Sequence, residues 1–157
     1  MNLLKDAALW RAAALIDGTW IESTTHGAYT LNNPADGTAL LALPRCQAAE
    51  AQAAIEAAHR AQLAWRKTTA KHRSGILHRW FELVLEHKED LATLITLEGG
   101  KPLSEARGEV DYAASFLQWF AEEAKRVRGD IIPAPHEKGA APMMEAAPAR
   151  CFEQAIS

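Results

Sequence analysis

Three sets of residues in this sequence have types that do chemistry: the run Gly99-Gly100-Lys101-Pro102, the cysteines Cys46 and Cys151, and a scatter of histidines and carboxylates. A phosphate-cradling loop of the form G-x-x-x-x-G-K-[ST] needs a glycine well upstream of the lysine and a hydroxyl after it, so that backbone N–H groups and a magnesium-binding oxygen converge on one anion. Here Pro102 follows Lys101 and the upstream position is not glycine. The dinucleotide pattern G-x-G-x-x-G also fails, and no strand-forming run precedes it. Helix punctuation explains the run better. An apolar helix ends near Leu97 and Glu98, a glycine takes the left-handed conformation that closes it, and Pro102 sits in the first turn of the next helix.

The other candidates thin out on the same tests. Cys46 lies just ahead of an expected helix, a position that lowers a thiol pKa, but its neighbours Pro44, Arg45 and Gln47 supply no base. Cys151 falls in an irregular stretch with no scaffold for a nucleophile. Two cysteines are too few for a disulfide framework or a structural zinc site, and they fit a reducing, cytoplasmic compartment. His59, His72, His78 and His87 show no i, i+4 pairing of the H-E-x-x-H kind. Glu98, Glu105, Glu109, Glu122 and Glu123 alternate with Lys101, Arg107 and Lys125 as on a solvated helix face. No residue is therefore assigned a catalytic, cofactor-binding or metal-binding role.

The elements that would position these residues follow from period and turn chemistry. Residues 3–11 have the pattern of a short amphipathic helix. Asp17-Gly18 then lies between two short apolar runs and predicts a tight hairpin. A second turn at Pro34-Ala35-Asp36-Gly37 predicts strands over 29–32 and 38–43. From Gln47 onward the chain reads as helix. Ala51, Ala54, Ile55, Ala58, Ala61, Leu63 and Trp65 make a small-residue face suited to close packing. Thr69 is the expected N-cap of the next helix, whose core stripe is Ile76, Leu77, Trp80, Phe81, Val84, Leu91, Leu94 and Ile95, with a break near Lys88 and Glu89. The last helix places Val110, Ala113, Phe116, Leu117, Phe120 and Ala124 at helical spacing and stops at Gly129. Residues 133–157, with Pro133, Pro135, Pro142 and Pro148, are expected to form an irregular, poorly ordered tail.

Composition is that of ordinary globular material, with 157 residues, 24% of them charged and 48% hydrophobic. A net charge of -3 gives no electrostatic footprint for nucleic acid. The basic cluster Arg60, Arg66, Lys67, Lys71, Arg73 and Arg79 surrounds an expected helix junction and reads as its solvated rim. No stretch approaches the roughly 20 apolar residues that span a bilayer. The alanine-rich N-terminus carries Asp6, unlike an acid-poor transit peptide.

In this order the segments resemble a known family. Residues 97–110, "LEGGKPLSEARGEV", are similar to the E-x-G-K-P-x-x-E-A-x-x-E-[IV] segment of the aldehyde dehydrogenase superfamily. The following "YAASFLQWFAEEAKRVRGDIIP" resembles the next helix in its succinate-semialdehyde dehydrogenase branch, with Arg128 where that branch usually has tyrosine. "LIDGTWIES" is similar to the family's opening hairpin, and "NNPADGTALLALP" to its Asn-Pro-Ala-x-Gly turn and strand. The likeness runs from about residue 3 to residue 133.

The resemblance implies a fold class and a reaction. The fold expected is mainly α with N-terminal β-hairpin strands over residues 1–132, an incomplete N-terminal part of an α/β enzyme. Full-length members oxidise an aldehyde to an acid with NAD or NADP, through a cysteine thiolate and a glutamate-activated water. The resemblance places the nucleophile, the base and the nucleotide-binding units after the point where this sequence diverges. The chain is therefore expected to be a truncated fragment, inactive alone and holding no cofactor itself. The resemblance also implies that the final helix borders the aldehyde tunnel, with Phe116 the foremost lining residue and Tyr112 and Trp119 behind it; spacing alone reads all three as core aromatics. An alternative is a non-catalytic helical module that binds a full-length aldehyde dehydrogenase through apolar faces around Trp80, Phe81, Phe116 and Phe120.

Overall fold

The computed structural model describes residues 4–127 and two short strand segments, 130–132 and 143–145. The chain opens with a hairpin of β1 (Ala14–Ile16) and β2 (Thr19–Ile21), paired antiparallel with Leu15 opposite Trp20. Its turn has φ of 50° at Asp17 and 72° at Gly18, the pair of positive values a two-residue turn requires. A second hairpin joins β3 (Ala28–Asn32) and β4 (Ala39–Pro44), one residue longer at the outer ends than expected. Side chains build its turn: Asn33 Oδ1 accepts the Ala35 N–H at 2.9 Å, and Asp36 Oδ1 accepts the Thr38 N–H at 2.9 Å.

Four helices follow: α1 (Ala48–Trp65), α2 (Ala70–Glu86), α3 (Lys88–Gly99) and α4 (Leu103–Glu123). Local chemistry starts and stops them. Glu50 reaches back to the Gln47 N–H at 2.8 Å at the head of α1, and Thr69 Oγ1 accepts the His72 N–H at 3.2 Å at the head of α2. The expected break falls at His87, which ends α2 and begins α3. Gly100 closes α3 with φ 71°, its N–H bonded to the Thr96 carbonyl at 2.9 Å. The fold class expected from sequence is the one observed: helices dominate, preceded by antiparallel hairpins.

The core lies where α4 crosses α2 and α3. Ala92, Ala106 and Val110 are buried together, with Val84, Leu91 and Ile95 packed against them. Ala114, Ala121 and Ala124 continue the buried ridge of α4. Small side chains there let the helix backbones approach closely.

Several expectations are corrected. Of the helix expected over residues 3–11, the described residues 4–11 form no α-helix; a single 3-10 turn, Ala7–Leu9, is capped by Asp6, and Asp90 binds the backbone N–H groups of Lys5 and Asp6 ahead of it. The small-residue face expected on α1 is largely open, with Ala54 and Trp65 half-buried and Ile55 63% exposed, and the one buried residue of the helix, Ala57, lies off that face, because this helix meets little beyond β1. On α2, Leu77, Phe81 and Val84 are half-buried while Ile76 and Trp80 are exposed, since adjacent ridges of one helix cannot both face α4. Ala113 and Phe116 are exposed because α4 turns its Ala106–Val110–Ala114 ridge toward α2 and α3. Three residues of the 133–157 segment, Met143–Glu145, form β6, which pairs antiparallel with β5 (Asp130–Ile132). The last helix stops before the expected Gly129: α4 ends at Glu123, a 3-10 turn runs Ala124–Arg126, and Val127 is already extended. The rest of the 133–157 segment lies outside the described residues.

Candidate functional site

Helix α4 presents two faces of opposite character. Ala106, Val110, Ala114 and Ala121 form the buried one. Two residues on from Val110 a helix has turned about 200°. Tyr112, Phe116 and Trp119 accordingly line up on the far side, spaced four and three apart. Tyr112 is 66%, Phe116 47% and Trp119 61% exposed among the described residues. The Tyr112 and Phe116 rings meet edge to face, centroids 4.9 Å apart at 82°. The three rings form an exposed aromatic ridge that offers no acid, base or nucleophile of its own.

The Gly99–Pro102 region serves another purpose. A Cβ at Gly100 would stand 2.8 Å from Pro34 Cγ, so this turn packs on the β3–β4 turn. The Lys101 amine is bound by the Glu109 carboxylate, which raises its pKa and directs it along α4. The turn links helix to helix, and the described sheets are antiparallel pairs, whereas a dinucleotide needs a strand running into a helix N-terminus beside a parallel sheet. The described residues therefore do not fit a dinucleotide.

The remaining candidates stay apart. Cys46 is exposed, just before the cap of α1. His72 meets the Trp65 ring, His78 stacks on Phe81, and His87 forms the α2–α3 junction. Among the described residues no group of three or more His, Cys, Asp or Glu could hold a metal ion. No helix among them is long and apolar enough to cross a membrane. In the basic cluster, Arg60 pairs with Asp17 at 3.1 Å, Arg79 with Glu82 at 3.1 Å, and Arg73 donates to the Thr68 carbonyl. Cys151 lies outside the described residues.

Sequence reasoning missed the head of α3. Lys88 pairs with Asp111 at 2.7 Å, Glu89 takes a two-pronged bond from Arg107 at 2.8 and 3.0 Å, and Asp90 holds the backbone of Lys5 and Asp6. Three consecutive side chains thus bind two different elements. Acids in a first helical turn did signal a partner for the helix dipole, but nothing in the pattern named these partners.

Comparison with known proteins identifies what this arrangement belongs to. The aldehyde dehydrogenase family model matches residues 20–150, continuing past the compositional change at residue 133. The chain is 54% identical over 130 residues to the NADP(+) succinate-semialdehyde dehydrogenase of Escherichia coli, covering 83% of this chain and 27% of that protein. It is 53% identical over 130 residues to glutarate-semialdehyde dehydrogenase of Pseudomonas aeruginosa, with the same coverage. Its fold superposes on a crystal structure of an E. coli NADP-dependent enzyme with a TM-score of 0.82 at 52% identity, over 85% of this chain and 28% of that one. The chain spans about a quarter of the length of the relatives it matches. With hairpins, helices and the Gly99–Pro102 turn all in the shared order, this chain belongs to the aldehyde dehydrogenase family.

Proposed function

We propose that this chain forms the N-terminal part of an NAD(P)-dependent dehydrogenase whose substrate is a short aldehyde with an acidic far end, succinate semialdehyde foremost. The observation that carries the reading is its 54% identity, along 83% of its length, to a succinate-semialdehyde dehydrogenase. In this reading α4 supplies one wall of the aldehyde tunnel, with Phe116 at its centre and Tyr112 and Trp119 beside it. No Lys, Arg or His lies between Gly108 and Trp119. The wall therefore contacts the aliphatic part of the substrate and leaves its carboxylate to a cation elsewhere in the fold.

The chain by itself is inactive in this reading. Thiolate attack on an aldehyde needs an oriented base and donors for the oxyanion. The exposed Cys46 is not part of such a constellation, and the nucleotide is bound by parts of the fold beyond the described residues. A second reading, a non-catalytic module that binds a full-length aldehyde dehydrogenase, draws on the exposure of Trp80 and Phe116; Phe81 and Phe120 are half-buried and contribute less to such a surface.

One experiment separates them. The matching N-terminal segment of the E. coli enzyme is replaced by this chain, spliced at Val127, and kinetics are measured with Phe116→Ala. The tunnel reading expects KM for succinate semialdehyde to rise about tenfold with a smaller change in kcat, as for lost apolar contact to a bound substrate. An unchanged KM contradicts it. Co-elution of the unspliced chain with the intact E. coli enzyme supports the module reading instead.

A further inference from the structure

The tripeptide Asp-Gly-Thr occurs twice, at residues 17–19 and 36–38, and each copy lies in the turn of a hairpin. An aspartate followed by glycine is the step at which a chain most readily attacks its own side chain, because glycine leaves its amide nitrogen unshielded and its backbone free to swing. Their shared sequence makes the two copies chemical equals, and their surroundings separate them. At the second copy both reacting groups are engaged. Asp36 Oδ1 accepts the Thr38 N–H at 2.9 Å and the Thr38 hydroxyl at 2.7 Å, while the Gly37 N–H donates to the Asn33 carbonyl at 2.8 Å. These bonds turn the carboxylate forward and the amide back. The Thr38 bonds also hold the Asp36 pKa below its ordinary 3.8, which keeps the acid in its unreactive ionised form. At the first copy the same groups are loosely held. The Asp17 side chain is 69% exposed and pairs with Arg60 at 3.1 Å across open surface, where an ion pair restrains little. Among the described residues the Gly18 N–H donates no hydrogen bond. The strands it joins have three residues each and pair with one another alone, and such a two-stranded ribbon opens easily in water.

We propose that Asp17-Gly18 is a self-modification site, at which the folded chain converts its own aspartate to isoaspartate through a cyclic imide, while Asp36-Gly37 is protected. The Gly18 nitrogen bonds to Cγ of Asp17 when the carboxyl is protonated; the Cγ–OH bond breaks, and the hydroxyl leaves with the amide hydrogen as water. Water then opens the ring. Addition at Cγ restores aspartate, whereas addition at the main-chain carbonyl breaks its bond to Gly18 and leaves the chain running through Cβ and Cγ. The net change is an isomerisation that needs no oxidant, reductant or cofactor. It inserts one methylene into the main chain of a turn whose φ values of 50° and 72° fit a two-residue loop. That loop cannot absorb the insertion without shifting the pairing of Leu15 with Trp20 and the tie from Asp17 to Arg60 on α1. The site does not depend on the aldehyde dehydrogenase reading.

The test ages the full chain at neutral pH, in buffer and, in parallel, unfolded in urea. Isoaspartate is mapped by peptide separation and by resistance to the endoproteinase that cuts before aspartate. Each rate in buffer is taken relative to the same site's rate in urea, which removes any difference left by the flanking residues. On that scale residue 17 converts about tenfold faster than residue 36, the factor expected when the slower site must first break two ordinary hydrogen bonds. Thr38→Val, which removes the hydroxyl bond to Asp36, narrows the ratio and leaves the rate at residue 17 unchanged. The proposal is overturned if the two sites are equally protected in buffer, if residue 17 is the better protected, or if Thr38→Val leaves the ratio where it was.

Discussion

At the scale of single residues, Asp90 does the most with the least sequence signal. Its carboxylate is 5% exposed and accepts the Lys5 and Asp6 amide N–H groups at 2.9 and 2.8 Å. Those two backbone bonds, helped by the nearby Lys5 and His87 charges, hold its pKa below the ordinary 3.8. Glu89 is likewise held below its ordinary 4.5 by the Arg107 guanidinium. A depressed pKa means the folded state prefers the ionised form. That stability is fully present above the unfolded values of 3.8 and 4.5 and is lost as pH falls through the lower folded values. Asp90→Asn keeps one acceptor and places an amide donor against the other N–H, so the exchange protection of the Lys5 and Asp6 amides, relative to their intrinsic rates, should fall at neutral pH and no longer decrease further on acidification. Unchanged exchange at both positions would show that other contacts hold the N-terminal segment. The sequence could not show this pairing, because its partners lie 84 and 85 residues apart and no local pattern joins them.

At the scale of elements, what was legible is what local chemistry decides. Asp17-Gly18, the Asn33–Thr38 turn, the Thr69 cap and the Gly100 stop each act through residues a few positions away, and each stands where the sequence placed it. The face a helix buries was less legible. Ile76 with Trp80 and Leu77 with Phe81 form neighbouring apolar ridges, and only the position of α4 decides that the second is covered. Gly100 is where the two kinds of information meet. Its φ of 71° ends α3, and its missing side chain admits Pro34 from the β3–β4 turn. Gly100→Ala should therefore destabilise the chain by more than about 1 kcal/mol, the usual cost of a Cβ in left-handed backbone, since the clash adds to it. Chemical denaturation of the variant measures this. A loss no larger than a few tenths of a kcal/mol would mean that the two turns do not depend on their contact.

At the scale of the whole molecule, the buried hydrophobic residues among those described are six alanines, Val110 and Leu4, where four helices would ordinarily bury larger side chains. Close-packed interiors owe their cohesion to interdigitated large residues, and here Ile55, Trp80, Tyr112, Phe116 and Trp119 remain outside. This distribution fits a portion of a larger fold, in agreement with relatives of which the chain spans 27%. The family was legible from the succession of hairpins, turn and helices; the exposure of Tyr112, Phe116 and Trp119 was not, because spacing cannot tell a covered aromatic from an open one. The central claim is that this segment contributes to aldehyde oxidation only within the complete fold. Its most direct test is the rate of NADPH formation from succinate semialdehyde by the isolated chain and by its graft on the E. coli enzyme, measured side by side. The account predicts turnover by the graft and none by the chain above a Cys46→Ser, Cys151→Ser control. A folded but silent graft, or an isolated chain faster than that control, would contradict it.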